Sequence, residues 1–339
     1  MTSHAMVEPI DPANSDRLTL EDVYEVIASS SRLDNPEAPV LTFDEAVGRL
    51  KNPQPGLGQV LRWAVRRGNH VVGLASSYFP EAENSHLGLL ELTVHPRARR
   101  GGIGTAVLRT ITPELRVRGR TVVECWNITE GGAGASFGTA RGFEAVSTTV
   151  LQMLSISTVD RSVWEVEPPI GYRLVSWCGL APDELLASYA EARRAIADSP
   201  FGRSAFRFPA WTAERVRESE ADRRHREIDH RVVAIVRQDS DEVVGFTELQ
   251  VYPHRKNFAY QGDIAVLAQH RGHSLGFCAK AAMLRWLQTE RPEVEQVMTS
   301  TTAANSYMVN VNLALGYRSA RRMVILACET EKLAQLLRA

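Results

Sequence analysis

Apolar and polar positions along the chain fall into short β-forming runs broken by turns, alternating with longer stretches of helical period. Leu61–Val65 and His70–Tyr78 are rich in β-formers and are split by Arg66-Arg67-Gly68-Asn69, which predicts a hairpin. Leu87–Val94 predicts a further strand, closed by His95-Pro96 because proline cannot donate to a ladder. A glycine-bearing loop follows, then a helix over Thr105–Ile111, a strand over Thr121–Trp126 and a small-residue helix running up to Gly142. The later chain repeats the order. Arg231–Arg237 and Glu242–Val251 flank the turn Gln238–Asp241. Gly262–Val266, a helix from Leu275 to Leu287, a strand over Val294–Thr299, a helix over Ser306–Ala314 and a final strand over Arg321–Ala327 complete the second set. Hairpins followed by strand-loop-helix-strand-helix units predict mixed α/β (α+β) domains, each a mixed sheet flanked by helices.

The likeness extends to residues. Aligning Val94 with Val266 puts Glu91 on Asp263, Arg99 on Arg271 and Gly104 on Gly276, all at an offset of 172. Gly142-Phe143 then faces Gly316-Tyr317 at an offset of 174. Two such units within 339 residues mean a duplicated domain. The expected division is 1–158, a linker over 159–170 carrying Glu165, Glu167, Pro168 and Pro169, and 171–339.

Composition narrows the class. Lys+Arg is 39 against Asp+Glu 40, a net charge of -1, so no global field recruits nucleic acid or an anionic membrane. The four cysteines, 125, 178, 278 and 328, stand far apart without a C-x-x-C, which fits a reducing cytoplasm and neither a zinc knuckle nor a disulfide framework. Neither a secretory leader nor an apolar run of membrane-spanning length is visible, so a cytoplasmic protein is expected.

The segment Arg99-Arg100-Gly101-Gly102-Ile103-Gly104 lies between a strand and a helix. Its glycines let backbone N–H groups converge, and the helix adds its positive end, which suits a phosphate. A tight turn with solvated arginines reads equally well from the loop alone. A dinucleotide fingerprint fits less well: Glu124 stands at about the required distance, but Val107 occupies the third glycine position.

With Val94, Pro96, Arg99, Gly102 and Gly104 forming V-x-P-x-x-R-x-x-G-x-G, and a later G-F or G-Y, the chain resembles the GNAT superfamily of acetyl-CoA-dependent N-acyltransferases. The doubled motif resembles tandem members of that superfamily, including the kasugamycin type of aminoglycoside 2′-N-acetyltransferase and mycothiol synthase. The second copy reads His270-Arg271-Gly272-His273-Ser274-Leu275-Gly276, then Lys280, then Asn305, Met308, Val311, Asn312 and Leu315-Gly316-Tyr317. The resemblance implies pyrophosphate contacts at Arg99, Arg100, Gly101, Gly102, Ile103, Gly104 and Thr105, and a pantetheine arm along Thr93 and Val94. Ser274 replaces Gly102, and Ala268-Gln269 replaces the proline-led turn. The first copy is therefore expected to bind acetyl-CoA and the second to be degenerate for it, contributing to an acceptor cleft; the converse division stays open.

Direct transfer needs a base for the amine and can use an acid for the leaving thiolate. Glu91 and Asp263 are the candidate catalytic carboxylates, each with a solvent-facing strand end as its plain alternative. His86 is a candidate proton relay. The family's tyrosine acid falls on Gly138 in the first copy, and Tyr307 is the candidate in the second, with core packing as its alternative. Cys125 is not expected to act as a nucleophile, and His270 and His273 lack partners at metal-ligand spacing. The run Glu214–Arg231 reads as a solvated charged face, or as a source of carboxylates (Glu218, Asp222, Asp229) for a cationic acceptor. The expected activity is acetyl transfer to a small-molecule amine, best an aminoglycoside. A mycothiol-synthase-like acceptor and a non-catalytic acyl-CoA-binding module are the alternatives, and the protein is expected as a monomer or homodimer without a metal.

Overall fold

The computed structural model describes residues 5–36 and 38–338. Its first elements are β1 (Met6–Pro9), α1 (Arg17–Asp34), α2 (Phe43–Lys51), β2 (Gln59–Arg67), β3 (His70–Phe79), β4 (Leu87–Val94), α3 (Ile103–Val117), β5 (Val122–Thr129), α4 (Ala133–Thr139) and β6 (Glu144–Ser155). They are followed by β7 (Tyr172–Cys178), α5 (Asp183–Arg194), α6 (Ala213–His225), β8 (Asp229–Arg237), β9 (Val243–Val251), β10 (Phe258–Val266), α7 (Leu275–Glu290), β11 (Gln296–Thr302), α8 (Ser306–Ala314), β12 (Arg318–Glu329) and α9 (Thr330–Leu336). The hairpins, Leu87–Val94 and Ser306–Ala314 fall where the pattern predicts. Helices α1, α2, α5 and α9 lie outside it. The first two are fixed locally by caps: Asp16 accepts from the Thr19 N–H, and Thr42 with Glu45 forms a capping box.

The chain forms two compact units that are interleaved, not the contiguous pieces expected. One takes the chain through Thr148, Gly202–Arg207 and the chain from Arg322; the other takes Thr149–Phe201 and Phe208–Arg321. In the first unit the strand order is β1-β2-β3-β4-β5-β12, antiparallel except for β4 with β5. The second runs β6-β11-β10-β9-β8-β7, antiparallel except for β10 with β11.

The last strand thus completes the first unit, where Leu326 faces Cys125, and not the second as its position in the chain suggests. Strand β6 completes the second, where Gln152 faces Thr299. Local pattern specifies a strand and its buried face but not its neighbour, so alternation alone does not announce this pairing.

In the first unit α3 lays Ile103, Val107, Leu108, Ile111 and Leu115 against Leu90, Val123 and Leu326 of the sheet. In the second α7 lays Leu275, Ala279, Met283 and Leu287 against Val233, Leu249 and Val297. The expected linker is part of this second core. Trp164 is fully buried and donates its indole N–H to the Leu315 carbonyl at 2.9 Å, and Val159 fills the space where Gly316 has no side chain. Burial of such a ring contributes about 2–3 kcal/mol, which a free tether could not retain. The charged run is also not wholly a solvated face. In α6, Glu220 and Arg223 are buried, and Glu220 accepts from the Ala181 N–H and from Arg217.

Candidate functional site

In the first unit β4 and β5 pair only over Leu87–Leu89 and Val122–Glu124, after which the ladder stops. The β5-facing edge of Leu90–Val94 is therefore open to an added extended chain. Downstream, Arg99 is extended, Arg100 has φ 65°, and Gly102 has φ 78° and opens α3. No side chain caps this 15-residue helix, so the amides of its first turn converge at the positive end of its dipole.

The residues of this loop have different tasks. Gly102 supplies a left-handed turn without the steric penalty a Cβ brings. Gly104 is needed for packing, because a Cβ there would lie 2.7 Å from the Phe137 ring. Arg99 is a brace: its Nε donates to the Val94 carbonyl at 3.1 Å, and its Nη atoms reach both Asp34 oxygens at 2.8 and 2.5 Å. That pairing departs from the phosphate contact expected of Arg99. The Val94 carbonyl also accepts from Ser30 Oγ, so it is already occupied, whereas Arg100 is exposed.

Alternation along β4 turns Leu90 and Leu92 into the α3 core and Leu89, Glu91 and Thr93 to the other face. There Glu91, about half-exposed, accepts from Tyr78 Oη at 3.2 Å and pairs with Arg49 at 3.5 Å. Burial, then the Glu91 charge, pushes the Tyr78 phenol up to about 12, so it stays a donor at neutral pH. Farther along this face Glu124 is fully buried. It accepts from Trp126 Nε1 at 2.7 Å, Ser204 Oγ at 2.9 Å and the Ala205 N–H at 2.6 Å. His86 Nε2 lies 2.9 Å from the Ala205 carbonyl, and Phe206 stands edge-on to Trp126. This belt around Glu124, supplied by Gly202–Arg207, escaped the sequence reading because its halves lie 80 residues apart. Burial pushes the Cys125 thiol up to about 12, which bars a thiolate nucleophile.

The second unit preserves the brace: Arg271 Nε donates to the Val266 carbonyl at 2.9 Å and Nη2 reaches Asp198 at 2.5 Å. Gly272 (φ 83°) and Ser274 (φ 57°) reproduce the backbone of Arg100 and Gly102, so the loop persists but with a Cβ at its mouth. Its β4 counterpart, β10, carries an irregularity between Gln261 and Ile264, which places Asp263 3.7 Å from Arg193.

Burial and the neighbouring Glu248 carboxylate raise Asp263 to about 6. Glu248 is itself buried, yet Arg193 and His230 at 2.9 Å, with Arg223, hold it well below the usual carboxylate range. Arg193 lies over the Trp211 ring at 3.8 Å.

The other sequence candidates are dispersed in this unit. Tyr307 is exposed and not in the core. His270 lies 2.9 Å from Tyr172 Oη. Asp229 binds Arg231 and Arg291, so it is committed to those partners. Among the described residues no group of three His, Cys, Asp or Glu could hold a metal, and no helix is long and apolar enough to cross a membrane.

Open strands beside a left-handed loop at a helix N-terminus, built twice, define the class. The chain matches the acetyltransferase (GNAT) family over residues 20–134 and 199–317 and belongs to it. It is an N-acetyltransferase with two GNAT domains. Among solved structures it is similar to a tandem GNAT protein from the clavulanic acid biosynthesis pathway, at 25% identity over 96% of this chain and 99% of that one, TM-score 0.77. A GCN5-related N-acetyltransferase from Sphaerobacter thermophilus shares the fold at 16% identity over 96% of each chain, TM-score 0.69. No curated protein matches it in sequence.

Proposed function

We propose that the first unit binds acetyl-CoA and transfers its acetyl group to a primary amine of a small molecule, best an aminoglycoside of the kasugamycin kind. The observation that carries this reading is the uncapped start of α3 at Gly102 beside the open edge of β4. The N–H groups of Ile103, Gly104 and Thr105 would hold the pyrophosphate, with Gly101, Gly102 and Arg100 beside it. The edge at Thr93 and Val94, apart from the occupied Val94 carbonyl, would take the pantetheine amides. Glu91 would receive the proton the amine loses as its nitrogen bonds to the thioester carbon, while the C–S bond breaks and the thiolate leaves. The likeness to a protein named for clavulanic acid biosynthesis is in keeping with an acceptor drawn from antibiotics or their precursors.

One observation favours a second reading. Asp263 sits at a strand irregularity beside Arg193, and the nearby Glu248 carboxylate helps hold it above the usual carboxylate range, in the direction that suits a base at neutral pH, so the second unit has its own candidate base.

Calorimetry with acetyl-CoA separates the two. A Cβ at Gly101 would lie 3.1 Å from the tip of the flexible Arg67 side chain and 3.4 Å from the Ala98 carbonyl, so Gly101→Glu adds a charge to the loop for a small adjustment of Arg67. It should weaken binding about tenfold or more by repulsion of the phosphates. His273→Glu, the equivalent change in the second unit, should leave binding unchanged; the opposite result overturns the assignment. Thiol release across a panel of aminoglycosides and a cysteinyl aminosugar then tests the acceptor, and silence toward every aminoglycoside removes that choice.

A further inference from the structure

The two units accept each other's terminal strands in sequence terms: β12 lies beside β5, and β6 beside β11. Both strands carry a buried, mostly apolar stretch after a polar start, are of the same length, and are preceded by a helix and a G-F or G-Y. Backbone pairing alone would serve either partner.

The side chains at the helix–strand contact are not alike. In the second unit Asn312 of α8 is fully buried. Its Nδ2 donates to Gln152 Oε1 of β6 at 2.8 Å and to Thr301 Oγ1 at 3.3 Å, and its Oδ1 accepts from Lys280 Nζ of α7 at 2.6 Å. Gln152, also fully buried, donates in turn to the Val309 carbonyl at 3.2 Å.

At the corresponding places in the first unit stand Gly138 of α4, Leu326 of β12 and Leu108 of α3. Here the contact is apolar and close, since a Cβ on Gly138 would lie 2.6 Å from Leu326 Cδ1. The correspondence is one of register as well as sequence, because Gln152 faces Thr299 as Leu326 faces Cys125.

We propose that these two sets, Lys280–Asn312–Gln152 and Leu108–Gly138–Leu326, form a pairing code that directs each terminal strand to its unit. With β6 beside β5, Gln152 would meet the bare Gly138 and an apolar core, leaving a buried amide unsatisfied. With β12 beside β11, Leu326 would meet Asn312 and remove the Gln152 acceptor, leaving its buried Nδ2 with only the Thr301 hydroxyl at 3.3 Å. Each wrong pairing is penalised twice, by lost hydrogen bonds and by misfit of volume, so specificity comes from repulsion as well as attraction.

The test exchanges the code on the strands alone. Met153 faces Met298 across β6 and β11, so Met153→Cys with Met298→Cys reports the observed pairing as a disulfide mapped by mass spectrometry after refolding and oxidation of the full chain. The otherwise unaltered chain should form this bond almost completely. Adding Gln152→Leu and Leu326→Gln mismatches both observed pairings, and the ratio of cross-linked to uncross-linked chain should fall about tenfold or more. Further adding Leu108→Lys, Gly138→Asn, Asn312→Gly and Lys280→Leu matches the code again and should restore the bond. Undiminished cross-linking in the strand exchange overturns the proposal. If that variant fails to fold, the sixfold exchange must regain folding and the cross-link; failure to regain them overturns the proposal equally.

Discussion

Lys280 should make the stability of the protein depend on pH. Its ammonium nitrogen is buried at 1% exposure, its hydrogen bond goes to a neutral amide, and the nearest aromatic face, Tyr317, lies 5.2 Å away. Without a carboxylate to offset desolvation, burial lowers its pKa to about 7, against roughly 10.4 in an unfolded chain.

Between those values the unfolded state binds more protons than the folded one, so stability rises with pH, by up to about 1.4 kcal/mol per unit. Below pH 7 both states carry the proton and the penalty is constant. Above about pH 10.4 both have lost it. Across the whole interval the change is about 5 kcal/mol, and between pH 6 and pH 8.5 it is about 2 kcal/mol.

Lys280→Met keeps the stem and removes the titration. Urea unfolding of both proteins at the two pH values, followed by the difference in stability, cancels the other titrating groups. The methionine variant should gain on the parent at pH 6, and its advantage should shrink by about 2 kcal/mol at pH 8.5. An advantage that is the same at both pH values, or grows with pH, refutes the reasoning.

Two other outcomes follow from the first unit. Glu124→Gln leaves Trp126 Nε1, Ser204 Oγ and the Ala205 N–H competing for a single neutral carbonyl, and should destabilise by about 2–3 kcal/mol. Trypsin should then cut faster at Arg203 and Arg207, and a cleavage rate equal to the parent's would refute the role of the belt. Under the proposed function Glu91→Gln should lower kcat about a hundredfold or more, whereas Asp263→Asn should leave it within about twofold, in steady-state assays of thiol release. A reversal of the two would place the base in the second unit.

The sequence made the loops and the hairpins legible because each rests on local chemistry. Pro96 ends a strand, Gly102 permits a left-handed turn, and the spacing from Arg99 to Gly104 is read within one segment. It misplaced Arg99 for a reason that is equally physical. Its charge announces an anion partner, but which anion depends on Asp34, 65 residues away on α1. The same holds for Trp164, whose neighbours Glu165, Glu167, Pro168 and Pro169 suggest a tether until the indole finds the Leu315 carbonyl. Glu248, Arg193 and His230 read as ordinary polar residues in separate segments, and only β8, β9 and α5 make them one buried cluster.

By itself, then, the sequence determined a duplicated domain, its class, and the position of a phosphate-suited loop in each copy. Those follow from repetition and from backbone preferences that act over a few residues. Tertiary structure alone decided which terminal strand closes which sheet, which arginine is a brace, and where carboxylates are buried. These depend on contacts such as that between Gln152 and Asn312, 160 residues apart, and a strand's alternation reads the same whichever neighbour it takes.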